Sequence, residues 1–232
     1  MIKIKVDEKW HEFPSHVSAK EVAEKLNLRS PDQALGVEIK GKVYDLSHVL
    51  EEGDSIHFLH FDDPKGKEIF WHTSAHVLAQ AILRLYPNAQ PTIGPPIENG
   101  FYYDFANLTI SEQDFPRIEE EVQKIIGENF LTKRCVFKNR EEALSRFSHN
   151  RYKKELIEGF EEGAFTAYEQ GEFFDLCLGP HLFNLGKIKA FKILKTSGAY
   201  WKGDSQNEML TRIYAISFPD RKLLKEYLFV LE

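Results

Sequence analysis

Sulfur is scarce in this chain: of 232 residues, two are cysteine and two are methionine. Cys135 and Cys177 stand about forty positions apart in unlike surroundings, which is no disulfide framework. That excludes a small stapled secreted fold and points to a reducing, cytoplasmic setting. Long apolar runs are missing too. None approaches the ~20 residues that cross a bilayer, and Met1-Ile-Lys-Ile-Lys5 lacks the apolar centre of a secretory signal, so no membrane association is expected. Nor is there a basic excess, since the net charge is −6. This argues mildly against a nucleic-acid binder, although the distribution of charge matters more than its total. Low-complexity tracts and internal repeats are absent. What remains is ordinary globular composition, 42% hydrophobic and 28% charged, with length enough for one large or two modest domains.

The charge is unevenly spread. Between Leu176 and Gly203 there is no Asp or Glu, while Lys187, Lys189, Lys192, Lys195 and Lys202 fall inside that window. Single lysines on a strand edge serve to discourage aggregation, but an acid-free window points to phosphate contact.

The first sixty residues read as a small unit. Ile2, Ile4 and Val6 alternate with lysines as in a half-buried strand, and Trp10 to Phe13 can return as its hairpin partner. Ser18-Ala-Lys-Glu21 is a capping box for a helix to about Leu26. Strand-like runs follow at Leu35 to Ile39, Lys42 to Leu46 and Ser55 to Leu59. Strand, strand, helix, then strands is the β-grasp order. Asp62-Asp-Pro64-Lys-Gly66-Lys reads as a linker. A helix is then expected from about Phe70 to Tyr86, a strand at Gly100 to Phe105, and a helix from Ser111 to about Glu128. A strand around Leu131 to Phe137, helices at 140–148 and 151–159, and paired strands at Phe165 to Tyr168 and Glu172 to Phe174 come next. Strands near Ala190 to Lys195 and Leu210 to Phe218 precede a final helix running from Pro219 to Glu232. The predicted fold class is α+β in two parts: a β-grasp domain over residues 1–61 and a larger α+β domain over 67–218, with a C-terminal helix over 219–232.

Two clusters carry the chemistry, His72-Thr-Ser-Ala-His76 and Cys177-Leu-Gly-Pro-His181. Residues i and i+4 share a helix face, so both imidazoles of the first should point one way from the first turns of the helix near residue 70. Thr73 stands where the metalloprotease motif needs Glu, which excludes that motif. Gly179-Pro180 forbids a continuous helix and puts the second pair on a tight loop after a strand. Three histidines and a thiol suit zinc. Four protein ligands would close its shell, so two readings stand: one ligand yields to water or substrate, or no metal binds and His and Cys work by proton transfer. Cys135, in a strand-like run, reads as a core thiol.

At these clusters the chain resembles the N-terminal half of bacterial threonyl-tRNA synthetases, a TGS domain followed by the second additional domain that performs editing. The resemblance spans nearly the whole chain. It is firmest at His72 to His76, at Ile93-Gly-Pro-Pro-Ile97 into Asn99-Gly-Phe-Tyr-Tyr103-Asp104, at Asp175 to His181, and at Thr196-Ser-Gly-Ala-Tyr-Trp201-Lys-Gly-Asp-Ser205. The paired H-x-x-x-H and C-x-x-x-H pattern is shared with alanyl-tRNA editing domains; the other stretches are particular to the threonyl branch. The resemblance implies hydrolysis of the ester of mischarged seryl-tRNA(Thr), with His72, His76, Cys177 and His181 lining the pocket. It implies Asp175 and Tyr103 near the aminoacyl-adenosine, Lys153 acting with His72 on water, and the acceptor end of tRNA(Thr) as partner. Lys154 competes with Lys153 for that role. The family commonly has Arg where this chain has Leu178.

The alanyl-type relatives hold zinc on these ligands, whereas threonyl sites are usually described as working through water, so zinc stays open here. No class II ATP motif or anticodon module is legible. The chain is therefore expected to be a ligase fragment with editing activity that cannot aminoacylate. ATP and magnesium belong to the full-length enzyme, expected as a homodimer, with the fragment expected as a monomer. Two rival readings are a zinc-dependent hydrolase of a small ester or amide and a non-enzymatic RNA-binding or regulatory module.

Overall fold

The computed structural model describes residues 1–27, 34–161, 163 and 165–231. The chain divides into two compact units, one formed by Met1–Phe70 with Gly179–Phe183 and the other by Trp71–Leu178 with Asn184–Glu232.

In the first unit, strands β1 (Ile2–Val6) and β2 (Lys9–Phe13) form a hairpin in which Ile2 faces Phe13. Helix α1 (Ala19–Leu26) follows, and Ser18 and Glu21 make the expected reciprocal cap. Such a cap is worth ~1 kcal/mol, because it satisfies amide donors that a helix start leaves bare. Strands β3 (Gly36–Ile39), β4 (Lys42–Tyr44) and β5 (Ser55–Leu59) complete a sheet of order β2-β1-β5-β3-β4. The central pair β1 and β5 is parallel, which is the β-grasp arrangement. Ile4, Val6, Val22, Val37, Ile56 and Phe58 fill its core. Phe183 packs against that core beneath the Lys20 ammonium, and the His181 amide donates to Asp45 Oδ1 at 2.7 Å.

Helix α2 (Pro64–Leu85) begins six residues before the expected start. Pro64 and Gly66, read as linker breakers, belong to its first turn. Proline fits there because that turn's amides have no intrahelical acceptor. At Gly66 a Cβ would collide with the His60 carbonyl, so only glycine permits the contact. His72 and His76 consequently sit in mid-helix rather than in the first turns.

The second unit places the remainder of α2 between two sheets. On one side lies the β12-β13-β8-β6 sheet, built from β6 (Gln90–Pro91), β8 (Gly100–Ala106), β12 (Ala190–Tyr200) and β13 (Met209–Phe218), with the short β7 (Pro96–Ile97) paired to β8. Trp71 Nε1 donates to the Ser217 carbonyl, and the Ser217 and Ser74 hydroxyls bond at 2.7 Å. On the other side β11 (Phe173–Leu176), β10 (Thr166–Gln170) and β9 (Thr132–Val136) form a three-stranded sheet. There Gln170 Nε2 donates to Gln80 Oε1, and the His76 ring packs edge-on against Phe173. A helix covered on both sides needs no polar stripe, and residues 73–82 of α2 are all buried.

Helix α3 (Phe115–Glu128) is preceded by a short 3-10 turn at Glu112–Asp114, so the expected start at Ser111 is a cap one turn early. Helices α4 (Arg140–Arg146) and α5 (Arg151–Gly159) pack on the small sheet through Phe147, Ile157 and Phe165. Cys135 on β9 is half-buried at the margin of that cluster rather than in its core. Helix α6 (Arg221–Leu231) closes the described chain; Glu232, the expected end of this helix, lies outside the described residues. Among the described residues no helix is long and apolar enough to cross a membrane.

Candidate active site

Four elements of the second unit converge on one cavity of about 370 Å³. Its polar floor comes from α2 (His72 and His76), β8 (Tyr103), α5 (Lys153) and the end of β11 (Asp175 and Cys177). Its walls are apolar: Ile93 to Pro96 on one side, Leu156, Phe160 and Leu178 on others. A mostly apolar cleft with a few convergent polar groups is the usual form of a small-ligand site.

The centre is a buried ion pair. Lys153 Nζ lies 2.7 Å from Asp175 Oδ1, with both side chains 3% exposed. The Tyr103 hydroxyl donates to Asp175 Oδ2 and accepts from Lys153 Nζ at 3.2 Å. Burial, and then the Asp175 charge, hold the Tyr103 phenol well above its ordinary pKa, so it remains a donor. Asp175 Oδ1 also takes the Leu176 amide at 2.9 Å. A buried charge pair is costly unless its remaining valences are met; here the Leu176 amide and the Tyr103 hydroxyl complete Asp175, and the same hydroxyl accepts a further bond from Lys153.

Beside this triad stand the imidazoles. His72 Nε2 is 3.2 Å from Cys177 Sγ, and His76 Nε2 is 3.7 Å from Asp175 Oδ2. Burial lowers the His72 pKa to about 4, the nearby Lys153 charge adding to it and Asp175 opposing. His76 is pushed well below its ordinary value, again chiefly by burial. Both rings are neutral near pH 7, the state needed to accept a proton or bind a metal. Cys177 lies just past β11, its amide donating to the Thr166 carbonyl at 3.1 Å, so the cysteine sits at a strand end as the sequence suggests. His181 is fully buried.

Within the second unit, one ligand atom from each of His72, His76 and Cys177 lies within 4.8 Å of the other two, so these residues can hold a metal ion; His181 belongs to the first unit. Neutral imidazole and thiolate are donors that zinc takes, and tetrahedral zinc would set them roughly 3.5 Å apart. The donor chemistry therefore fits.

Lys153 is the buried lysine of its pair; Lys154 is half-exposed. The basic window is less uniform than its sequence implies. Lys192 pairs with Glu119 at 3.0 Å and Lys202 with Glu155 at 3.3 Å. Lys189 and Lys195 are exposed, Lys195 lying over the Tyr214 ring, and Lys187 is half-buried. A register shift between Ile193 and Lys195 puts Lys192 and Lys195 on the same face despite their odd spacing. Leu178 is 62% exposed at the cavity edge.

Sequence reasoning missed the apolar wall and one polar residue, Asn150. The Ile93 to Pro96 run reads as a turn-rich approach to a strand, and nothing local says that it faces a cavity. For Asn150 a signal exists, an Asn directly before a helical segment, which is a capping position.

Residues 5–60 match the TGS domain, and residues 166–214 match the threonyl and alanyl tRNA synthetase second additional domain. The whole chain is 66% identical to a threonine–tRNA ligase of Protochlamydia amoebophila and 53% identical to one of Chlamydia trachomatis. A threonine–tRNA ligase of Caldanaerobacter subterraneus is 45% identical over 95% of the chain. The chain spans about a third of the length of these relatives, 36% of the first two and 35% of the third. A β-grasp unit in front of a His/Cys-bearing α+β unit is therefore a TGS domain joined to an editing-type second additional domain, similar along its whole length to the part of threonine–tRNA ligases that it matches.

Proposed function

We propose that this chain hydrolyses the ester of seryl-tRNA(Thr), the product formed when serine is mistaken for threonine. One methyl group gives a synthetic site only ~1–3 kcal/mol of discrimination, so accuracy calls for a second, hydrolytic site. The observation that carries the reading is the buried Lys153–Asp175–Tyr103 triad set against a neutral His72 in an apolar cleft.

The 3′ end of tRNA(Thr) enters the cleft, its phosphates near the lysines of the 187–202 segment and its terminal adenosine near Tyr103. Water held by His72 and Lys153 attacks the seryl carbonyl carbon and loses its proton to the imidazole. The Lys153 ammonium steadies the oxyanion. The acyl C–O bond then breaks, the ribose oxygen takes the proton, and free serine and uncharged tRNA leave. Serine is retained because its hydroxyl finds Asp175 and the imidazoles, while the apolar wall refuses the threonine methyl. If zinc binds, His72, His76 and Cys177 are the residues of this cleft that would hold it, and the ion would supply Lewis-acid activation of water. The setting proposed is the cytoplasm. Synthesis of threonyl-tRNA with ATP and magnesium, and dimerisation, are assigned to the full-length ligase.

The test is deacylation of seryl- against threonyl-tRNA(Thr), with and without a chelator. Seryl-tRNA(Thr) should be hydrolysed and threonyl-tRNA(Thr) spared. His72→Ala and Lys153→Ala should each lower turnover by about 10²–10⁴-fold while binding persists. Wild-type turnover in both variants would end the mechanism, and RNA binding without hydrolysis would favour a regulatory module.

A further inference from the structure

Asn150 is 3% exposed and uses both ends of its amide. Its Oδ1 accepts from the Tyr152 amide at 3.0 Å and from the Lys153 amide at 3.2 Å, which caps α5. Its Nδ2 donates to the Pro91 carbonyl at 2.8 Å. Capping alone needs only an oxygen, so Ser and Asp would serve about equally well. The donor half does something else. Pro91 ends β6, faces Phe105 on β8, and leads directly into the Thr92 to Pro96 cavity wall. Strand β8 also carries Tyr103, the hydroxyl partner of Lys153. A single side chain thus bonds the backbone of Lys153 itself and the strand layer that its ammonium must meet.

Helix α4 supplies the contrast. Asn139 caps it through one bond, Oδ1 accepting from the Glu142 amide at 2.9 Å, at an exposed site. The two caps are alike in residue, but Asn150 accepts a second amide and adds the donor bond to Pro91.

We infer that Asn150 is a positioning residue for the hydrolytic site: its amide ties the Lys153 helix to the wall and strand of the cavity and fixes the ammonium between Asp175 and Tyr103. The inference rests on the proposed hydrolysis only for its effect on rate. A side chain 0.5–1 Å off its productive position costs an enzyme up to ~10²-fold.

The experiment compares Asn150→Ser, Asn150→Asp and the matched control Asn139→Ser in the whole chain. All three keep a capping oxygen. The two Asn150 variants lose the donor, and Asp sets a carboxylate against the Pro91 carbonyl. Two readouts are taken: kcat and KM for seryl-tRNA(Thr), and the rate at which acetic anhydride labels Lys153 relative to Lys154, followed by mass spectrometry. Both Asn150 variants should lower kcat by about ten- to a hundredfold with KM within about twofold, and should raise the Lys153 to Lys154 labelling ratio. Asn139→Ser should change neither. If Asn150→Ser does not fold, Asn150→Asp decides, being isosteric and at least as good a cap. Wild-type labelling and kcat in Asn150→Asp would overturn the inference and leave Asn150 a cap alone. Absence of hydrolysis in the unsubstituted chain would count against the proposed function, while the labelling ratio would still decide the role of Asn150.

Discussion

At the scale of single residues, the site depends on how closely backbone approaches ring. Gly94 lies on the cavity wall, and a Cβ there would collide with the Tyr103 ring at Cδ2, 2.6 Å from Cε2 and 2.8 Å from Cγ. That ring cannot retreat freely, since Phe105 stacks on it with centroids 4.9 Å apart. Gly94→Ala should therefore push Tyr103 aside and break its hydroxyl bonds to Asp175 and Lys153. Overpacking of this kind costs about 1–3 kcal/mol, so both the melting temperature and the proposed hydrolysis of seryl-tRNA(Thr) should fall. Tyr103→Phe keeps the ring and loses only the hydroxyl; it should lower turnover with less effect on melting. A Gly94→Ala protein with unaltered melting and turnover would show that the wall has slack. The sequence marks Gly94 only as one of several turn residues, because the partner that makes it indispensable lies on a separate strand.

At the scale of elements, legibility follows the range of the interaction. The β-grasp hairpin and the α1 cap were readable because alternation and a capping box are local patterns. The start of α2 was not, because Pro64 and Gly66 carry the same signature in a linker as in a first turn, and the His60 carbonyl that selects Gly66 is a tertiary fact. His72, His76, Cys177 and His181 stood out by spacing. Lys153, Asp175 and Tyr103 were reached only through family resemblance, since no periodicity links residues on α5, β11 and β8. The same limit hid the Arg84 junction. Arg84 near the end of α2 bonds Glu128 Oε1 at 2.8 Å, Glu121 Oε1 at 3.2 Å and Glu172 Oε1 at 2.5 Å, joining α2, α3 and the β10–β11 turn. The Arg84 guanidinium lowers the Glu172 pKa to about 2 and pulls Glu128 down as well. A carboxylate depressed in the folded state contributes stability above its unfolded pKa of ~4.3 and loses it as pH falls toward the folded value. Denaturant titration should thus show Glu172→Gln less stable than the parent at pH 7, with the difference shrinking from about pH 4.5 and nearly gone near pH 2. Because Glu172 is half-exposed, the difference at pH 7 should be small. A gap that stays constant down to pH 2 would mean that the charge contributes nothing beyond the neutral hydrogen bond.

At the scale of the whole molecule, the net charge of −6 bears on how an anionic substrate would be held. No overall field draws RNA in, so attraction has to come from a local set of cations. Within the basic window, Lys192 and Lys202 are already offset by Glu119 and Glu155, which leaves Lys189 and Lys195 as its exposed cations outside those pairs. Each phosphate neutralised on a single-stranded end contributes about −0.7 to the slope of log K against log salt. With so few cations available, the slope for a tRNA(Thr) acceptor minihelix should be shallow, about −1 to −3 rather than the steep dependence of a basic binder. Lys189→Ala with Lys195→Ala should flatten it by about 1.4 and raise KM for seryl-tRNA(Thr), most strongly at low salt. Removing Glu119 should act in the opposite direction, since Glu119→Gln frees the Lys192 ammonium and steepens the slope. Filter binding across a salt series distinguishes the cases. A slope untouched by the lysine substitutions and by Glu119→Gln would mean that RNA reaches the cleft along another face of the second unit.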